Sequence, residues 1–286
     1  LSFTILCLVL ISPIARDVTA RRIRTRILQS GSGSPLVLIH GFLSNHHTFD
    51  DVVPSLARSF QTVTIDLPGT GESEKPPPSR FDYSIEAFAE VVTDVIAALQ
   101  IGRCHVVGHG LGAAIALALA SEHPEFVDHL ILVSPEIYSG PPPPLTRIMR
   151  MPLAGRFLFK QVLGRSLFHS LYLKHQYAPG HIVQSERIDS YYGPFIEPAA
   201  RESAFAVLRA QLDMRPSIAR LSRIKSRTLV LWGRADRRLI AEYAPRLVRQ
   251  LQLAQLEYIE TGHTPHEEKP DLFVASLERF ILGERS

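Results

Sequence analysis

Short runs of β-branched and aliphatic residues alternate with helical patterns along most of this chain, and that alternation limits the fold more than any other feature. The runs are Arg22–Ile27, Leu36–Ile39, Thr62–Ile65, His105–Val107, Leu130–Val133, Thr228–Trp232 and Gln255–Ile259. Several are apolar throughout, as expected of strands buried on both faces of a parallel sheet. Helical patterns cover Phe49–Arg58, Ser84–Gln100, Gly112–His123, Ala241–Gln252 and Pro270–Leu282. Ser84 suits an N-cap, Pro124 closes the helix before it, and Pro270 suits a first helical turn. Strand, helix, strand predicts right-handed crossovers and a doubly wound, mostly parallel α/β sheet.

The alternation breaks at Pro135, and a strand pattern resumes only at Thr228. Between them, after Pro141 to Pro144, come helical patterns rich in aromatics: Phe157, Phe159, Phe168, Tyr172, Tyr177, Tyr191, Tyr192 and Phe195. Residues 135–215 are expected to form an inserted helical cap, with a few of these rings lining a pocket beneath it. The core would then comprise residues 21–134 and 216–286. Residues 1–20 are set apart as an apolar leader or anchor. Leu1 to Ala15 is short for a membrane span and suits a signal-peptide core, with small residues at Val18-Thr19-Ala20 for cleavage. No basic segment precedes it, and the chain does not begin with Met. An exported or anchored protein is favoured over a misplaced start or an extra packed segment. Any membrane association would run through residues 1–20 alone.

With 286 residues, 45% hydrophobic and 21% charged, the chain is long enough and apolar enough to bury a core, which argues against disorder. Much of the positive charge sits in Arg21–Arg26 and Arg220–Arg227, with no nucleic-acid motif beside it, so these read as solvated strand and loop ends. Cys7 and Cys104 build neither a disulfide framework nor a metal site.

The most informative run is Cys104-His105-Val106-Val107-Gly108-His109-Gly110-Leu111-Gly112-Ala113-Ala114, an apolar strand entering a glycine-flanked turn and leaving as an Ala- and Leu-rich helix. The turn is tight, so residues flanking its centre must be small. Further segments end strands in Leu38-Ile39-His40-Gly41-Phe42, Asp66-Leu67-Pro68-Gly69-Thr70-Gly71-Glu72-Ser73, Trp232-Gly233-Arg234-Ala235-Asp236 and Glu260-Thr261-Gly262-His263-Thr264-Pro265.

In this order the five segments resemble the α/β-hydrolase fold superfamily, in its esterase and carbon–carbon bond hydrolase branch. The resemblance covers nearly all of residues 22–282 and implies a sheet of the eight-stranded type. It implies that Gly110 occupies the nucleophile position, where serine is expected, and that the Phe42 and Leu111 amides form an oxyanion hole. It makes His263 the general base and acid, and Asp236 the group that fixes its tautomer. His40, Gly41, Gly108, His109 and Gly112 would support the elbow and loops. Asp236 has an alternative reading as an N-cap before Ala241. Ser73 and Ser134 are set aside as substitute nucleophiles because neither sits on an elbow. His46 and His47 read as exposed, with no metal role.

Losing a triad nucleophile costs about a millionfold in turnover and leaves roughly a thousandfold over water. Three accounts of Gly110 follow, in order of preference. The chain is a variant of a serine hydrolase whose covalent step is lost. Alternatively, His263 and Asp236 run nucleophile-free chemistry of the lyase, cofactor-free oxygenase or direct hydrolytic kind. Otherwise the chain is a ligand-binding relative without catalysis, which retention of Asp236 and His263 disfavours. The expected partner is a small or medium, largely apolar carbonyl substrate, ester-like or carbon–carbon, rather than nucleic acid. No metal, nucleotide or flavin motif is present, so no cofactor is expected.

Overall fold

The computed structural model describes residues 13–138, 151, 155, 157, 164–211, 213–239 and 241–283. Its centre is an eight-stranded sheet in the order β1-β2-β4-β3-β5-β6-β7-β8. The strands are β1 (Ile14–Ala20), β2 (Ile23–Ser30), β3 (Ser34–Ile39), β4 (Phe60–Ile65), β5 (Cys104–His109), β6 (Val127–Val133), β7 (Arg227–Gly233) and β8 (Ala254–Ile259). β2 runs antiparallel to β1 and β4, and every other pairing is parallel.

Alternation along the strands feeds two cores. On one face Val37, Ile39 and Val106 pack against α2 (Ile85–Ala98) and α3 (Leu111–Glu122). On the other, Leu36, Leu38 and Val107 meet α1 (Val53–Leu56) and the C-terminal helix Pro270–Leu282. The apolar strand runs required this, because in a β-strand successive side chains point to opposite faces. α3 is buried all round from Leu111 to Ala120, and its alanines let it lie close on the sheet. Ser84 caps α2, its hydroxyl accepting from the Ala87 N–H at 3.2 Å.

Two expectations need correction. The apolar leader, expected over residues 1–20, is not all leader: Ile14–Ala20 is an edge strand, paired from Ile14↔Gln29 to Ala20↔Ile23, and the expected cleavage residues Val18-Thr19-Ala20 lie inside it. Most of β1 is exposed, so ladder hydrogen bonds rather than apolar burial hold it, and no hydrophobic pattern marked it. Residues 1–12 lie outside the described residues. The helix expected over Phe49–Arg58 is broken into a 3₁₀ turn, His46–Phe49, and the short α1. Pro54 has no N–H for a helix interior and fits only a first turn. Among the described residues no helix is long and apolar enough to cross a membrane.

Between β6 and β7 the chain forms α4 (Arg165–Leu171), α5 (Ser185–Phe195), α6 (Pro198–Ala210) and α7 (Arg215–Arg220). Pro141–Pro144 and Phe159 lie outside the described residues. Phe168 packs against Tyr172, Tyr192 and Phe195 at 5.6 Å between ring centres, so much of the aromatic content holds the insertion together. The chain continues as α8 (Tyr243–Gln250), β8, α9 (Pro265–Glu268) and α10 (Pro270–Leu282).

One buried carboxylate ties the insertion to the sheet. Glu267 in α9 accepts from the Tyr177 hydroxyl at 2.5 Å, the Tyr191 hydroxyl at 2.7 Å and the Thr48 hydroxyl at 2.5 Å. Arg187 Nε stands 3.6 Å away. Burial next to Glu267 pushes both phenols well above their ordinary pKa, so they remain donors.

Candidate functional site

Gly110 links β5 to α3 with φ 55° and ψ −111°, a conformation that L side chains rarely adopt. Its neighbours are glycines for a steric reason. A Cβ on Gly108 would run into the Gly112 carbonyl, and one on Gly112 into the Ile39 carbonyl. At Gly110 itself there is room. A Cβ there would sit 3.4 Å from His263 Nε2 and 3.4 Å from Glu136 Oε1, ordinary van der Waals distances.

His263 lies in the loop between β8 and α9. Its Nδ1–H donates to Asp236 Oδ2 at 2.8 Å, and both side chains are almost completely enclosed. The other oxygen of Asp236 accepts the backbone N–H groups of Arg238 and Leu239, at 2.8 and 2.9 Å. The alternative N-cap role fails, because α8 begins at Tyr243 with Glu242 before it. His263 Nε2 makes no hydrogen bond and faces position 110. Burial alone would lower the imidazole pKa; Asp236 first, then Glu136, outweigh it and hold the ring above its ordinary value.

Glu136 was not singled out from sequence. It follows β6, and its N–H donates to the Gly110 carbonyl at 3.2 Å. Its Oε1 accepts from Arg238 Nε at 2.5 Å and stands 3.5 Å from His263 Nε2. Burial pushes this carboxyl up, but Arg238 and then His263 overcome that and bring it down to about 2. Arg238 also lies over the Tyr172 ring, 5.1 Å from its centre. Ser134-Pro135-Glu136 carries no motif, so its only signal was position: the end of the strand beside the elbow strand.

The supporting histidines are neutral and structural in geometry. His40 Nε2 accepts the Leu67 N–H at 3.1 Å, which leaves Nδ1–H to donate to the Gly41 carbonyl at 2.8 Å. Burial lowers its pKa. His109 Nε2 donates to the His263 carbonyl at 3.1 Å, and its ring packs edgewise near His266. Burial, then His266 and His263, push its pKa well down. Gly41 lies against the His109 ring, where a Cβ would meet Nδ1 at 3.0 Å. Ser73 donates to the Asp66 carbonyl at 2.6 Å and accepts the Arg26 N–H at 2.8 Å, tying loop to strand. His46, expected to be exposed, is buried: its Nδ1 lies 3.0 Å from the enclosed Asp66 carboxylate. The Asp66 loop folds back under it, which adjacent histidines in a polar stretch did not reveal. His47 remains outside, paired with Asp50 at 2.7 Å.

Phe42 and Leu111 both border an apolar cavity. Leu43, Tyr191, Phe195, Ala204 and Val207 also line it. The Tyr172 hydroxyl donates to the Phe42 carbonyl, fixing that loop from the insertion. His263 and Gly110 stand beside this cavity rather than in its lining.

A strand–turn–helix elbow, an enclosed His–Asp pair and a parallel sheet flanked by helices define one class. The chain belongs to the alpha/beta hydrolase fold family, whose profile matches residues 34–270. It is similar to a pimeloyl-[acyl-carrier protein] methyl ester esterase of Aeromonas hydrophila, 30% identical over 88% of this chain and 96% of the relative. It is also similar to a 2-hydroxymuconate semialdehyde hydrolase of a Pseudomonas species, 27% identical over 94% of each chain. Among solved structures, a bacterial membrane phospholipase A superposes with a TM-score of 0.76 at 26% identity, over 95% of this chain and 86% of that one.

Proposed function

We propose that this chain hydrolyses a small or medium, largely apolar carbonyl substrate, ester-like or carbon–carbon, with water in place of the missing serine hydroxyl. The observation that carries the proposal is the unbonded Nε2 of His263, aimed at the side-chain space left by Gly110. A water there is the nucleophile. Neutral His263 takes a proton from it at Nε2 while Nδ1–H stays on Asp236. The water oxygen attacks the substrate carbonyl carbon, and the carbonyl electrons move to an oxygen held by the Phe42 and Leu111 amides. As the intermediate collapses, the leaving alkoxide or carbanion takes the proton back from His263 Nε2. Acid and alcohol, or acid and ketone, leave.

The cavity beside Phe42 and Leu111 suits an apolar acyl chain, and helices α5 and α6 of the insertion supply its cap. The relatives' names, an ester hydrolase and a semialdehyde hydrolase, support the reaction class. Asp236 and Glu136 hold the His263 pKa above its ordinary value despite burial, so the water-driven rate rises as pH climbs through that raised value.

The test is a panel of short-chain p-nitrophenyl esters. Gly110→Ser should raise turnover by about a thousandfold or more, since it restores a covalent route. His263→Ala in the glycine protein should abolish the residual rate. A folded Gly110→Ser protein without esterase activity, or a residual rate indifferent to His263→Ala, would overturn the assignment.

A further inference from the structure

At the end of the sheet opposite Gly110, we propose that His105, Asp128 and His129 form a binding site for one divalent transition-metal ion of the zinc type. His105 lies at the start of β5, and Asp128 and His129 lie at the start of the adjacent, parallel β6. One ligand atom from each falls within 4.8 Å of the other two.

The observation behind the proposal is a set of buried imidazole nitrogens with nothing to bond. His105 Nδ1 and both ring nitrogens of His129 have no hydrogen-bond partner. The side chains of His105 and His129 are only 7% and 14% exposed. Polar atoms left unpaired at that depth are costly, and a ligand that bonds to them relieves that cost.

The geometry is close to that of a metal centre. Asp128 Oδ2 lies 3.3 Å from His129 Nδ1 and 3.7 Å from His105 Nδ1. Ligand atoms around a tetrahedral zinc with bonds of about 2.0–2.1 Å are separated by roughly 3.3 Å. Small ring rotations would close the remaining gap. Both rings are already oriented by edgewise packing: His105 against Phe60 at 5.9 Å, His129 against Phe280 at 5.4 Å. The Asp128 side chain is 40% exposed, which gives an ion its path in and a place for a water as fourth ligand.

Two imidazoles and one carboxylate select zinc, nickel, cobalt or copper over magnesium and calcium, which prefer all-oxygen shells. Two guanidiniums work against any cation here. Arg103 Nη2 lies 3.6 Å from Asp128 Oδ1, the oxygen turned away from the rings, and Arg227 lies over Phe280. With three protein ligands and this opposing charge, affinity falls below that of a four-ligand structural zinc site. The ion would clip the starts of β5 and β6 together. It would touch no part of the His263 site, so it would act on stability and leave turnover alone.

The test uses the untagged full chain, stripped with EDTA and titrated with ZnCl₂ by calorimetry and with CoCl₂ by visible absorption. One equivalent should bind, with ligand-field bands of low-coordinate cobalt. Tm should rise by about 5 °C at a hundredfold excess of zinc over Kd. His129→Gln and Asp128→Asn should each weaken binding at least tenfold and remove the Tm rise. Asp128 is exposed enough that its variant should fold even if ring substitutions do not. No saturable binding, or binding that both variants retain because other histidines supply it, would overturn the proposal.

Discussion

The two ends of the parallel sheet bury similar groups and treat them differently. At the ends where β5, β6 and β7 finish, the charges are matched: His263 sits between Asp236 and Glu136, and Glu136 is held by Arg238. At the ends where β5 and β6 begin, two imidazoles face a single half-exposed carboxylate, and three ring nitrogens bond to nothing. The first arrangement pairs its charges inside the protein and leaves His263 Nε2 without a hydrogen bond, facing position 110. The second leaves its bonding capacity open, which is what a site for an external cation requires.

That contrast can be broken most sharply at Asp236. In the Gly110→Ser background, Asp236→Asn should cut ester turnover about 10⁴-fold with circular dichroism unchanged, because the histidine loses its tautomer partner. A loss under about tenfold would mean the matched end is structural rather than chemical.

Next in size is Gly112→Ala. A methyl group there meets the Ile39 carbonyl, which belongs to the backbone and cannot move aside. Stability should drop by about 3 kcal/mol in urea titrations, with activity reduced as the elbow shifts.

Glu136→Gln sharpens the comparison through pH. Its carboxyl is held down at about 2 in the folded state against an ordinary 4.5, so its stabilising effect is present above pH 4.5 and fades as pH falls toward 2. The variant should flatten acid unfolding in that window. His263 shows the opposite sign: its pKa is raised, so its contribution is complete below pH 6.5 and fades as pH rises through the folded value. Without Glu136 the rising limb of the rate profile should move to lower pH, a shift worth less than about tenfold at neutrality.

The smallest effect belongs to the other end. His129→Gln in metal-free protein should change stability by no more than about 1 kcal/mol and leave turnover unaltered. A large change in turnover would join the two ends that the structure keeps apart.

Much of the sheet was legible because its strands are buried on both faces and therefore written as short apolar runs; β3, β5, β6 and β7 follow that rule. β1 escaped because an exposed edge strand with Arg16 and Asp17 at its middle leaves no such trace. The elbow, Asp236 and His263 were legible because tight turns restrict residue types locally, and glycines record that restriction in order. Glu136 and Arg238 were not, since their meeting depends on two loops far apart in sequence that only the folded sheet brings together. The same holds for His105 and His129, which share a site because β5 and β6 are neighbours.

The carboxylate of Glu267 reaches beyond anchoring. Lifting the insertion off the sheet would take the Tyr177 and Tyr191 hydroxyls away from Glu267 and break both hydrogen bonds at once. Partial opening at this point is therefore harder than its few contacts suggest, and the insertion and the sheet should melt together. Heating should yield one calorimetric transition spanning both, so that any loss of the insertion's order would register as a loss of the whole protein.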